Sequence, residues 1–264
     1  MRQHWFEVSA GVRLHVTERT GSGTPIICLH GIWDDNHYFE ALTRPGLGVL
    51  DARPMYLVDH RGHGESSKPD SGYAWTDYRD DTLALIEQLD AEQVVFVGHS
   101  LGALVSLLAA AELGGRVAAL VLEDPPLPLR TDRTSAFAGL LEMKQQPLEA
   151  ITEDFLIWRP FLTREQAEAS ARRLKNTADG VLREVVEGSA ARAEIPVPGE
   201  TLPARTLVIR AGIEEERAFG VEGPQLLAAV IPDLTIETIP GTSHNVLREK
   251  PDAYRALLTE FFDG

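Results

Sequence analysis

Residues 98–102 read Gly-His-Ser-Leu-Gly, and the segments around them leave little freedom in how the chain folds. The apolar run Val94–Val97 precedes the pentapeptide, and a long apolar helical pattern, Leu101–Leu113, follows it. Strand, tight turn, helix is the setting in which Gly-x-Ser-x-Gly forms a nucleophile elbow, with the serine hydroxyl exposed at the carboxyl end of a sheet. A side chain at position 98 or 102 would collide with the neighbouring strand or helix, and glycine at both removes the collision. The helix beginning at Leu101 then aims unpaired N–H groups at the same point. Ser100 is therefore the candidate nucleophile.

The rest of the chain alternates strands with helices. Extended patterns occur at 4–8, 12–17, 25–29, 55–58, 94–97, 117–122, 205–210 and 234–239, and helical spacing at 36–42, 75–89, 101–113, 225–230 and 251–262. This alternation implies a mainly parallel sheet covered on both faces. After the stop signal Glu123-Asp124-Pro125-Pro126 the extended pattern vanishes until about residue 203. That stretch is helical and polar, with breaks at Pro147, Pro160, Gly180 and the Pro196/Pro198/Gly199 cluster. The expected organisation is a core built from 1–124 and 204–264, with 125–203 inserted as a helical cap over the carboxyl edge of the sheet. At 264 residues the chain is long enough for one such domain.

Bulk properties narrow the partners. A net charge of −15 disfavours nucleic acid and anionic membrane surfaces and leaves a small molecule as the expected partner. The single cysteine, Cys28, lies in an apolar strand pattern and reads as a small buried hydrophobe. One thiol forms no internal disulfide. The polar start, Met1–Glu7, has no signal-peptide apolar region, and no apolar stretch is long enough to span a bilayer, so a soluble cytoplasmic protein is expected. The sequence leaves the oligomeric state open.

An elbow serine needs a base, an acid to orient that base, and donors for an oxyanion. Of eight histidines, His244 alone follows the final strand pattern and precedes the final helix, in Pro240-Gly241-Thr242-Ser243-His244. It is the candidate base. The N–H of Leu101 is one expected oxyanion donor. The loop His30-Gly31-Ile32-Trp33 supplies the other, Ile32 N–H, with Gly31 permitting the turn that aims it. Trp33 reads equally as pocket floor or as core.

With these residues in place the chain resembles the α/β-hydrolase superfamily over nearly its whole length. The resemblance rests on His30-Gly31, the block Asp59-His60-Arg61-Gly62-His63-Gly64-Glu65-Ser66, the Gly98–Gly102 elbow and Gly241…His244. It implies an α/β-hydrolase fold: a mostly parallel central sheet of about eight strands, helices on both faces and an inserted helical cap. By the same likeness His60 and His63 belong to a structural loop and are not a metal pair. The superfamily most often carries its acid just beyond the seventh strand, which favours Glu215. A less common place, the end of the sixth strand, holds Asp124, which reads equally as a structural acceptor of backbone N–H groups. Glu123, Glu214 and Glu216 remain as lesser alternatives.

The resemblance implies hydrolysis of a carboxylic ester or related acyl compound through an acyl-enzyme, with neither metal nor organic cofactor. Serine at position 100 separates the chain from relatives that use aspartate as an alkylated nucleophile. Carbon–carbon bond hydrolysis is the enzymatic alternative, although Ile32-Trp33-Asp34 replaces the glycine-rich stretch typical of those relatives. A non-catalytic ligand receptor is the alternative of another class. The substrate is expected to meet Trp33, His99, and Phe137, Leu141 and Trp158 from the insert, although the apolar insert residues also read as packing faces of amphipathic helices.

Overall fold

Every residue of the strand Val94–His99 is buried, as required of a strand covered on both faces. The computed structural model describes residues 1–128, 134–160, 162–187 and 201–264, with backbone alone at 134–136. Its eight strands are β1 (Arg2–Ser9), β2 (Val12–Arg19), β3 (Ile26–Leu29), β4 (Met55–Val58), β5 (Val94–His99), β6 (Val117–Glu123), β7 (Arg205–Ala211) and β8 (Leu234–Ile239). They form one sheet in the order β1-β2-β4-β3-β5-β6-β7-β8. β2 runs antiparallel to β1 and to β4, and every pairing from β4 through to β8 is parallel. This is the α/β-hydrolase fold.

Successive side chains on a strand point to opposite faces, and β3 shows the consequence. Ile27 and Leu29 join the core beneath α1 (Trp75–Gln88) and α2 (Leu101–Leu113), with Tyr78, Leu85 and Leu104. Ile26 and Cys28 join the opposite core, with Phe39 from the 3-10 helix Asn36–Thr43 and Tyr254 and Leu258 from the last helix, Pro251–Asp263. Cys28 is fully buried, and burial pushes its thiol far above the usual range.

Register sets the chemistry at one level. Leu29 of β3 pairs with Gly98 of β5, His99 with Glu123 of β6, and Glu123 with Ile209 of β7. His30, Ser100 and Asp124 are each the first residue beyond the carboxyl end of three neighbouring parallel strands. Such strand ends are where ligands bind in open α/β sheets.

Between β6 and β7 the described residues form α3 (Thr134–Met143), α4 (Leu148–Trp158), α5 (Arg164–Asn176) and α6 (Asp179–Val186). These helices enclose a small core of their own, including Leu140, Ile151, Phe155, Leu174 and Leu182. Ile32 and Trp33 pack against that core, which seats the helices beside the loop that follows β3. The chain continues after β7 with α7 (Gly223–Ala228), and after β8 with α8 (Val246–Glu249) and α9 (Pro251–Asp263). α8 is a single turn, too short to leave a periodic signal in the sequence. Among the described residues, no helix is long and apolar enough to cross a membrane.

Candidate active site

Ser100 sits between β5 and α2 at φ 52°, ψ −113°, a conformation that side-chain-bearing residues rarely adopt. The surroundings hold it there. Its N–H donates to the Glu123 carbonyl at 3.0 Å, and its carbonyl accepts from Ala103 N–H at 3.0 Å and Leu104 N–H at 3.2 Å. A Cβ at Gly102 would lie 1.8 Å from the Leu29 carbonyl oxygen, and one at Gly98 would lie 2.5 Å from the Gly102 carbonyl oxygen. Helix and strand backbones thus touch directly, and both glycines are required. Ser100 is partly exposed although the residues on either side of it are buried.

The loop after β3 closes on the same serine. Gly102 N–H donates to the His30 carbonyl at 3.1 Å. A Cβ at Gly31 would come within 3.1 Å of Ser100 Cβ and 2.8 Å of His99 Nδ1. Ile32 follows at once, and its N–H donates to no group among the described residues. Leu101 is the first residue of α2, so its N–H has no intrahelical acceptor. Among the described residues the N–H groups of Ile32 and Leu101 therefore have no acceptor, one in the loop that closes on Ser100 and one directly after it.

His30 holds this loop down. Its Nδ1 lies 2.7 Å from the Gly31 carbonyl, and its Nε2 accepts the His60 N–H at 3.1 Å, which fixes the Nδ1–H tautomer. His60 and His63 pack their rings on His30 with centroids 4.7 and 5.0 Å away. Burial, reinforced by His30, keeps His63 neutral, with its pKa pushed down to about 3. Among the described residues, no group of three or more His, Cys, Asp or Glu side chains is arranged to hold a metal ion.

His244, between β8 and α8, donates from Nδ1 to Asp124 Oδ2 at 2.7 Å. That bond commits Nδ1 to the carboxylate and leaves Nε2 as the nitrogen able to take a proton. Asp124 is fully buried at φ 41° and also accepts the N–H groups of Ala218 (2.7 Å), Ala211 (3.3 Å) and Phe219 (3.4 Å). It is both an anchor for the chain after β7 and the partner of His244.

Glu215 is not that partner. It lies exposed on the 3-10 turn Glu214–Glu216, and its two glutamate neighbours are exposed as well. The cause is the backbone at the end of β7. Gly212 packs so closely on the end of β8 that a Cβ there would lie 2.4 Å from the Ile239 carbonyl oxygen. Ile213 N–H is tied to the Thr242 carbonyl, and the turn then carries its glutamates outward. Glu123, the other neighbour of Asp124, is buried and turned to the opposite face. It accepts from the Tyr38 hydroxyl at 2.5 Å and from Leu247 N–H at 3.0 Å. Burial, with the adjacent Asp124 charge, pushes its pKa up to about 8.

A pocket of about 380 Å³ is lined by residues of the two loops that carry Ile32 and His244, though not by Ser100, His244 or Asp124 themselves. Its lining includes Trp33, next to Ile32, and Asn245, next to His244. Of the five residues expected to meet substrate, Trp33 lines this pocket and the other four do not. His99 is buried behind His244: its Nε2 donates to the His244 carbonyl at 3.0 Å and its ring stacks on Tyr38 at 4.4 Å. It packs on the His244 ring and ties down its backbone. Phe137 sets its ring edge against Trp33 at 5.7 Å, and Leu141 packs into the core of the insert. Trp158 is half exposed and stacks on Phe155. All four are held by partners distant in sequence or on the same helix, which the folded chain supplies: Tyr38 and His244 for His99, Trp33 for Phe137, the insert core for Leu141 and Phe155 for Trp158.

Sequence reasoning missed the charged lining, namely Asp34, Arg159, Arg173, Arg248 and Glu249. Arg248 clasps Asp34 at 2.7 and 2.9 Å, and Arg173 approaches it at 3.2 Å. Burial works to raise the Asp34 pKa, but the two guanidiniums outweigh it and hold the carboxyl at about 2. These residues come from four separate segments, and no local motif joins them.

Residues 26–257 match the model of the alpha/beta hydrolase family. The chain is 29% identical to the 2-(acetamidomethylene)succinate hydrolase of Mesorhizobium japonicum over 263 residues, which cover 96% of this chain and 92% of the relative. The crystal structure of E-2-(acetamidomethylene)succinate hydrolase superposes with a TM-score of 0.79 at 24% identity, covering 100% of this chain and 99% of that one. An esterase from Exiguobacterium antarcticum superposes with a TM-score of 0.78 at 21% identity, covering 98% and 99%.

Proposed function

This chain belongs to the alpha/beta hydrolase family, and we propose that it is a serine hydrolase that cleaves a small acyl compound, a carboxylic ester or a related acyl group, with Ser100, His244 and Asp124. One observation carries the reading: the 2.7 Å bond from His244 to buried Asp124, beside a serine held at φ 52° on a glycine-flanked turn. Backbone strain of this kind persists only where the surroundings enforce it, and it clusters at reactive sites.

The proposed steps use these groups in turn. Ser100 Oγ attacks the carbonyl carbon and passes its proton to His244 Nε2. The electron pair of the carbonyl moves onto oxygen, where the Ile32 and Leu101 N–H groups receive it. Asp124 holds His244 in the correct tautomer and stabilises the imidazolium. As the bond to the leaving group breaks, His244 returns the proton to it. A water molecule then repeats the sequence against the acyl-serine, releasing the acid and restoring Ser100. Each oxyanion donor contributes about 3–4 kcal/mol to lowering the barrier. In this reading the helices α3–α6 act as a cap, and their contact with Ile32 and Trp33 supports that role.

The relative from Mesorhizobium japonicum is named for hydrolysis of 2-(acetamidomethylene)succinate, which extends the candidate bonds beyond oxygen esters. Carbon–carbon bond hydrolysis on the same residues is the second reading, and product analysis separates the two. The proposal is tested with a fluorophosphonate probe. Labelling is expected on Ser100 and absent in Ser100→Ala; labelling that persists in that variant overturns the assignment.

A further inference from the structure

The pocket beside Trp33 and Asn245 carries more positive charge than its own carboxylates use. Three guanidiniums line it, Arg159, Arg173 and Arg248, against two carboxylates, Asp34 and Glu249. Both carboxylates are already engaged. Asp34 takes Arg248 and Arg173, as described above. Glu249 accepts the Ser243 N–H at 2.8 Å, and the Ser243 hydroxyl donates to it as well. Arg159 is left over. Among the described residues no carboxylate lies within ion-pair distance of it: Glu216 and Glu249 attract it only from farther away, and the ring of Trp158 lies 5.0 Å from the guanidinium carbon. It is only partly exposed, and removing a guanidinium from water without a counter-ion is costly. In a protein of net charge −15, a cation without a direct ion pair on a pocket wall is a specific feature and not a by-product of basic composition.

We propose that Arg159, supported by the Arg173–Asp34–Arg248 cluster, is a carboxylate-binding subsite, so that the substrate is an acyl compound bearing a carboxylate away from the bond that is cleaved. The inference rests on the serine-hydrolase reading for the word substrate, but the subsite stands on its own residues. Guanidinium is suited to this task because its planar fork meets both oxygens of a carboxylate. The Asp34 clasp fixes Arg248 and Arg173, so the field they add is rigid. Trp33 and Asn245 adjoin the Ile32 donor and the His244 base, which brings the anion-binding wall next to the reacting groups. The occupant is a small carboxylate, in keeping with the volume of about 380 Å³.

The experiment compares mono-4-nitrophenyl glutarate with 4-nitrophenyl valerate, a neutral ester of equal acyl length, in the wild type, Arg159→Met and Arg159→Lys, with Ser100→Ala as the blank. A charge-assisted hydrogen bond accounts for a factor of about 10–100. The ratio of kcat/KM for the anionic ester to that for the neutral one should fall by about that factor in Arg159→Met, chiefly through KM, and recover in part in Arg159→Lys. An unchanged ratio overturns the subsite and leaves the hydrolase reading standing. Titration calorimetry with glutarate itself needs no turnover. Binding to the wild type and to Ser100→Ala that weakens about 10–100-fold in Arg159→Met supports the subsite even if neither ester is cleaved. Absence of glutarate binding, or binding indifferent to Arg159, overturns it.

Discussion

Glu123 is a buried acid that the fold keeps protonated near neutral pH, and this has a measurable consequence. Its carboxyl, normally near 4.5, is pushed to about 8 by burial and by the adjacent Asp124 charge. Below pH 4.5 the folded and unfolded chains both hold this proton. Between 4.5 and 8 the folded chain keeps it and the unfolded chain has released it, so stability falls as pH rises through that window. By pH 7 the loss from this one group amounts to roughly 3 kcal/mol. Glu123→Gln keeps an acceptor for Tyr38 and for Leu247 N–H and removes the titration. Urea unfolding of both proteins at pH 5, 6, 7 and 8 is the assay. The two stabilities should lie close together at pH 5, and the variant should gain on the wild type by roughly 3 kcal/mol by pH 7 to 8. Curves that stay parallel across the window would refute the reasoning, because the carboxyl would then titrate alike in the folded and unfolded chains.

Three further outcomes are expected. Asp124→Asn should lower kcat by about 10⁴-fold through loss of the His244 tautomer, while Glu215→Gln stays within about twofold; the reverse order in ester assays would return the acid to the β7 turn. Gly102→Ala should cost ~3 kcal/mol or more, or fail to give soluble protein, because its methyl would sit 1.8 Å from the Leu29 carbonyl oxygen; a normal melting temperature would show that the elbow can widen. Asp81→Asn leaves Arg61 buried without the carboxylate that now takes its Nε at 2.6 Å, and should cost about 3–5 kcal/mol in denaturant titration; a loss below about 1 kcal/mol would mean that water reaches Arg61.

Much of this architecture is legible in the sequence, because strands buried on both faces read as continuous apolar runs and glycines mark the places where backbones touch. Val94–Val97 with Gly98 and Gly102 is the clearest case: the pentapeptide forecasts a turn, and the structure shows the carbonyl contacts that demand it. The partner of His244 is harder to read. Acidic residues end both β6 and β7, and which of them reaches the histidine depends on how β7 meets β8. The contact of Gly212 with the end of β8 is a tertiary fact, and it sends Glu215 outward. Asp124, by contrast, has its N–H tied to the Ile209 carbonyl between two strands, which turns its carboxylate toward the loop of His244. The polar pocket was not legible for a related reason. Asp34, Arg159, Arg173 and Arg248 converge only when α4, α5 and α8 come together with the loop after β3, whereas Trp158 and Phe137 stand out in the sequence as aromatics and are engaged in ring contacts in the structure.

The most direct test of the central claim is turnover of a 4-nitrophenyl ester series, from acetate to palmitate, by the wild type and by Ser100→Ala. Multiple turnover that requires Ser100, with an optimum at short acyl chains, is the result predicted by the proposal of a serine nucleophile under a cap, with a pocket of about 380 Å³ for the substrate. Equal release of 4-nitrophenol by wild type and Ser100→Ala at every chain length would contradict it.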